Sequence, residues 1–154
     1  METIYIGIDP GKEGGYTVID GNDVRSYPWD DALFASDMNG VKCLADLDNR
    51  HIVAAVEKVG AMHGQGVTSM FSFGKSAGYI EGVLTAHGIP YQLIPPATWK
   101  REFSLIGKDK KASIEVCRKL FPDVDLKRTD RCKTYSDGKA EATLIAEYAR
   151  RKMR

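Results

Sequence analysis

The chain is poor in the residues that staple or anchor a fold. Its 154 residues include only three cysteines, Cys43, Cys117 and Cys132, widely scattered. They form no CxxC pair and no disulfide frame, which excludes a small stapled scaffold and points to reduced structural thiols in a reducing, intracellular compartment. The three histidines, His51, His63 and His87, stand apart, so no His/Cys cluster offers a zinc site. No apolar run approaches the ~20 residues that span a bilayer. Met1-Glu2-Thr3 leads straight into a strand-like segment rather than a basic-then-apolar leader, so neither a membrane anchor nor a secretory signal is expected. There is no repeat, low-complexity tract or linker, and the length suits one domain, residues 1–154.

What is present is a charge asymmetry beneath a net charge of +1. Residues 1–96 carry six Lys and Arg against twelve Asp and Glu, whereas residues 97–154 carry sixteen against nine. A basic C-terminal part suggests a polyanionic partner on one face, although a solvated mixed-charge surface gives the same count.

Hydrophobic patterning predicts strands over Ile4–Ile8, Tyr16–Ile19 and Val24–Tyr27, joined by tight turns into an antiparallel meander. A helix over Asp30–Asn49 follows, with Gly40 inside it. Ile52–Val56 is a continuous apolar run, the mark of a strand buried on both faces. Lys58–Thr68 reads as a glycine-rich loop, Ser69–His87 as a helix and Tyr91–Ile94 as a strand. Pro95-Pro96 closes that strand. Lys110–Leu120 and Gly138–Lys152 read as two final helices. Consecutive strands followed by alternating ones predict an α/β fold: a mixed five-stranded sheet, three antiparallel strands then parallel ones, with helices on both faces.

Four acids occupy positions that ask for a partner. Asp9 and Glu57 each follow a strand expected to be central, where an ionised carboxylate at the core's edge needs a compensating cation. Asp137 is placed to cap the last helix, or to act as a ligand. Glu141 is one position too late for a capping box and shares a stripe with Leu144, Ile145 and Tyr148. Four residues apart, Asp137 and Glu141 lie on one side of a helix and repel unless a metal sits between them. Mg²⁺ takes a few carboxylates, keeps waters and completes its shell with substrate phosphate; Mn²⁺ can substitute. Two such ions would activate a water and stabilise the leaving oxygen of a phosphodiester.

The run Tyr5-Ile6-Gly7-Ile8-Asp9-Pro10-Gly11, the strand ending in Glu57, and Asp137-Gly138-Lys139-Ala140-Glu141-Ala142 with Leu144 and Ile145 together resemble the RuvC-type Holliday junction resolvases of the ribonuclease H-like superfamily, especially their phage-like and organellar branch. The resemblance spans about residues 4–150. It implies a homodimer that resolves four-way DNA junctions by paired Mg²⁺- or Mn²⁺-dependent nicks leaving 5′-phosphates. Asp9, Glu57, Asp137 and Glu141 would be the catalytic metal-binding acids. The setting would be a bacterial or phage-infected cytoplasm, or an organellar nucleoid. The chain departs from the family where Glu141 replaces a common Asp, and where its last two acids stand four apart against three in bacterial RuvC.

The resemblance extends to Pro95–Lys100 and Gly107–Lys111 and implies that the strand runs into a basic loop before the next helix, where Lys108, Lys110 and Lys111 would bind phosphates. In the loop before the second long helix, Met62 would wedge between bases and His63 would touch substrate. Phe71 could stack on a base, while Phe73 and Tyr79 are expected in the core or at a dimer contact built on Gly74, Ala77 and Gly78. Other functions consistent with these residues are cleavage of forks, flaps or RNA ends, the last as in pre-ribosomal RNA nucleases with the same Ile-Asp-Pro-Gly start. A phosphate-binding domain of the actin and sugar-kinase type, or a DNA-binding module without turnover, would share fewer of them.

Overall fold

The computed structural model describes residues 2–61 and 63–153. It contains β1 (Thr3–Asp9), β2 (Gly15–Asp20), β3 (Asp23–Pro28), α1 (Asp31–Leu47), β4 (His51–Glu57), α2 (Val67–Ala86), β5 (Tyr91–Ile94), α3 (Pro96–Glu102), α4 (Lys110–Leu120) and α5 (Asp137–Lys152). The five strands form one sheet in the order β3-β2-β1-β4-β5. β1–β2 and β2–β3 pair antiparallel, and β1–β4 and β4–β5 pair parallel, as the strand order predicts.

Alternation along the strands sets the two faces. Ile4, Ile6 and Ile8 of β1, with Ile52, Ala54 and Val56 of β4, pack under Phe34 and Met38 of α1 and Ile80 and Leu84 of α2. The opposite parity, Tyr5, Val53 and Ala55, meets α3, α4 and α5 through Trp99, Cys117, Leu144 and Ile145. Helices therefore cover both faces.

α5 lies directly on β1. A Cβ at Gly7 would come within 2.2 Å of both the Ala142 carbonyl oxygen and the Ala146 nitrogen, so only glycine allows this approach. At the helix start, a Cβ on Gly138 would lie 2.1 Å from the Glu13 carbonyl oxygen, locking α5 to the β1–β2 turn. α5 is buried nearly all round, from Gly138 to Ala140, from Ala142 to Glu147 and at Ala149. The single core-facing stripe expected there is too narrow, because the sheet covers one side and α4 and the residues before α5 cover the others.

Three further expectations need correction. Residues 96–102 form a helix rather than a basic loop: Pro96 sits in the first turn, where its missing N–H is not needed. Ser136, not Asp137, caps α5, its hydroxyl accepting from the Lys139 N–H; Asp137 occupies the first helical turn. Of the two places expected for Phe73 and Tyr79, the core is ruled out, since they are 37% and 36% exposed. Tyr79 donates to the Asp31 carbonyl, and Phe73 lies beside Gly11. The cysteines are free thiols, with Cys117 buried and Cys43 exposed. Among the described residues no helix is long and apolar enough to cross a membrane.

Candidate active site

The strand register brings the first two acids together. Ile8 pairs with Val56, so the next residues, Asp9 and Glu57, leave neighbouring parallel strands side by side. By parity both belong to the face that α5 covers. The first turns of α5 bring Asp137 and Glu141 to the same place. All four carboxylates line one cleft of about 440 Å³, with Lys100, Lys108, Lys110, Phe73 and Ser113 among its other walls.

Their fields are strongly coupled. Burial, and then Glu57, Glu141 and Asp137, hold the Asp9 carboxyl well above the usual carboxylate range, opposed only by Lys110. Glu141 is also raised, by burial and then by Glu57 and Asp137, against Lys100 and Lys110. Burial raises Glu57, while a hydrogen bond from Trp99 and the charge of Lys100 pull it back. That hydrogen bond runs from the fully buried Trp99 Nε1 to Glu57 Oε2 at 2.7 Å. Lys110 Nζ lies 2.9 Å from Asp137 Oδ2. Ser113 Oγ reaches Glu141 Oε1 at 3.5 Å, the outer limit of a hydrogen bond.

Desolvated carboxylates that repel one another favour a bound cation. The donors are hard oxygens without a thiol or imidazole, which suits a Mg²⁺-like ion and not zinc. Yet among the described residues no three His, Cys, Asp or Glu side chains are gathered closely enough to hold an ion unaided. Hard carboxylate donors of this kind suit an ion that keeps waters and takes substrate oxygens.

The other sequence candidates divide. Lys108 and Lys110 line the cleft; Lys111 is exposed beside it, in the first turn of α4. His63 is exposed in the turn before α2 and does not line the cleft. Met62 lies outside the described residues. Sequence reasoning did not single out Trp99, Lys100 or Ser113. Ser113 sits three residues after Lys110, one turn along the same helix face, a spacing that would have flagged it.

Solved structures share this fold. Thermus thermophilus RuvC in complex with a Holliday junction substrate is 17% identical, with a TM-score of 0.55, and the match covers 97% of this chain and 96% of that one. A second T. thermophilus RuvC structure is 16% identical, with a TM-score of 0.52 over 96% of this chain and 95% of that one. The yeast mitochondrial Holliday junction resolvase Ydc2 is 16% identical, with a TM-score of 0.50, covering 92% of this chain and 75% of that one. No protein-family model and no curated protein sequence matches the chain.

Proposed function

We propose that residues 1–154 act as one RuvC-type nuclease domain that resolves four-way DNA junctions inside the cell, working as a homodimer with Mg²⁺ or Mn²⁺ and leaving 5′-phosphate ends. The observation that carries this is the meeting of Asp9, Glu57, Asp137 and Glu141 in one cleft, on a fold shared with a RuvC solved on a Holliday junction.

In this mechanism Asp9, Glu57, Asp137 and Glu141 would hold the metal, two ions to a site. When bound, the metal supplies Lewis acidity to the attacking water and the leaving oxygen. Trp99 holds one oxygen of Glu57, leaving the other free. Lys110 neutralises Asp137 until DNA arrives. Lys100, Lys108 and Lys110 then present ammonium groups to the phosphate entering the cleft, and Lys111 extends that contact outside it. Met62 and His63, which precede α2 in sequence, are the proposed contacts with the junction's centre.

Two symmetric cuts require two sites related by a two-fold axis, and one chain carries one set of acids. α2 is the proposed dimer contact. Val67 and Phe71 are 80% and 74% exposed, and Gly74 and Gly78 leave open space for a second helix. The test is cleavage of a synthetic four-way junction beside duplex, fork and flap controls, with a cruciform plasmid read for linear product. Mg²⁺-dependent linearisation is expected. Relaxation only, with equal cutting of forks or flaps, would reassign the protein to the other branched-DNA nucleases.

A further inference from the structure

The basic excess of residues 97–154 is not spread evenly once its ion pairs are assigned. At the far end of α5, Arg150 pairs with Glu147, Arg151 with Glu147 and Glu102, and Lys152 with Glu102. Those three cations share two carboxylates within the fold. In the loop of residues 127–133 the outcome differs: among the described residues Lys127, Arg131 and Lys133 take part in no ion pair. Arg131 and Lys133 are exposed.

The loop is held in place rather than left to drift. Its neck is closed by the Ser136 N–H donating to the Leu126 carbonyl at 2.7 Å, with Leu126 buried. The nearly buried Lys139 reaches out to donate its Nζ to the Lys127 carbonyl at 2.6 Å. Arg128 pairs with Glu13, which itself lines the acid cleft, so the loop adjoins the cleft's rim. On its other flank Tyr135 lies under the Arg118 guanidinium of α4, 4.5 Å from the ring centre. Arg118 follows Lys111 by seven residues, two helical turns or about 10.5 Å along one face. That length matches about three nucleotides of a strand rising ~3.4 Å each.

We propose that a basic surface from Lys111 through Arg118 to Lys127, Arg131 and Lys133 grips the phosphate backbone of one DNA arm outside the acid cleft. This rests on the branched-DNA substrate proposed above. Ordering the loop in advance removes the entropy that binding would otherwise lose, and the unpaired cations exchange small counterions for phosphates.

The test measures binding to a four-way junction in metal-free buffer across a range of salt concentrations, for the wild type and for a Lys127→Ala/Arg131→Ala/Lys133→Ala variant. Removing three phosphate contacts should flatten the slope of log affinity against log salt by up to ~2.7. The charge-keeping variant Lys127→Arg/Arg131→Lys/Lys133→Arg should restore it. A wild type that binds the junction while the alanine variant keeps its full slope overturns the surface and leaves the nuclease reading intact. A flattened slope that the charge-keeping variant does not restore also overturns it. A wild type that binds no branched DNA removes both.

Discussion

Gly7→Ala tests how the fold builds the site. The added methyl would stand 2.2 Å from the Ala142 oxygen and the Ala146 nitrogen and 2.7 Å from the Ala146 Cα. All three are backbone atoms of α5, so no side chain can swing aside. Relief from 2.2 Å to the 3.4 Å at which ordinary van der Waals contact begins requires α5 and β1 to part by more than about 1 Å, forfeiting about half or more of each contact's attraction. Overpacking of this kind typically costs about 1–3 kcal/mol, and backbone on the far side places Gly7→Ala at the upper end. For a chain of this length ~3 kcal/mol is roughly 6–12 °C of melting temperature. The function should suffer further, because α5 carries Asp137 and Glu141 while β1 carries Asp9. A misplacement of about 1 Å between catalytic groups can cost ~100-fold in rate. Thermal unfolding and junction cleavage at fixed Mg²⁺ would be read together. Gly40→Ala, in α1 with open space around its Cβ position, is the control and should stabilise by about 0.5–1 kcal/mol. A Gly7→Ala protein that melts with the wild type and cuts at its rate would refute the reasoning.

Asp9→Asn should abolish cleavage yet keep junction binding, and it should raise the melting temperature of the metal-free protein at pH 7. The sign follows from Asp9 being held above its ordinary value of 3.8 in the folded state: the folded protein binds the extra proton, so wild-type stability falls as pH rises above that value, and the two melting curves should converge below it. Trp99→Phe removes the N–H that holds Glu57; loss of a charge-assisted bond should slow cleavage by about 10-fold or more. In a Trp29→Phe background, Mg²⁺ titration should shift Trp99 emission, and a flat titration would argue that Glu57 is not a ligand. Ala77→Arg should place a charge in the α2 contact and weaken the dimer in sedimentation, with linear plasmid giving way to relaxed circles; an unchanged sedimentation coefficient would remove α2 from the interface.

The strands, and the division of the sheet into an antiparallel and a parallel part, were legible because their signals are local. Period-two alternation in β1 and an unbroken apolar run in β4 survive without knowledge of their neighbours, and the placement of Asp9 and Glu57 at strand ends follows directly. Helix α3 was hidden by its own start. Pro95-Pro96 reads as a stop, yet a proline in the first turn suits a helix, and seven residues are too few to establish a period. The cap of α5 was misplaced by one residue because Ser136 and Asp137 are both competent caps, and only the Lys139 N–H, bonded to Ser136, decides between them.

What stayed out of reach was the set of partners that makes the acids and polar groups tolerable. The hydroxyls of Thr17 and Thr143 meet at 2.9 Å across 126 residues of sequence. Trp99 supports Glu57 across 42 residues, and Lys110 faces Asp137 from another helix. An acid at a strand end advertises a charge that needs an answer, but the answering group is chosen by tertiary packing. The same logic explains why the basic excess misleads when counted along the chain. Arg150, Arg151 and Lys152 contribute three charges to the total, yet they share the two carboxylates of Glu102 and Glu147, which offset two of the three. Cations paired within the fold are less available to a polyanion, and Lys108 in the acid cleft and Lys127, Arg131 and Lys133 in the loop beside it are among those that take part in no ion pair among the described residues.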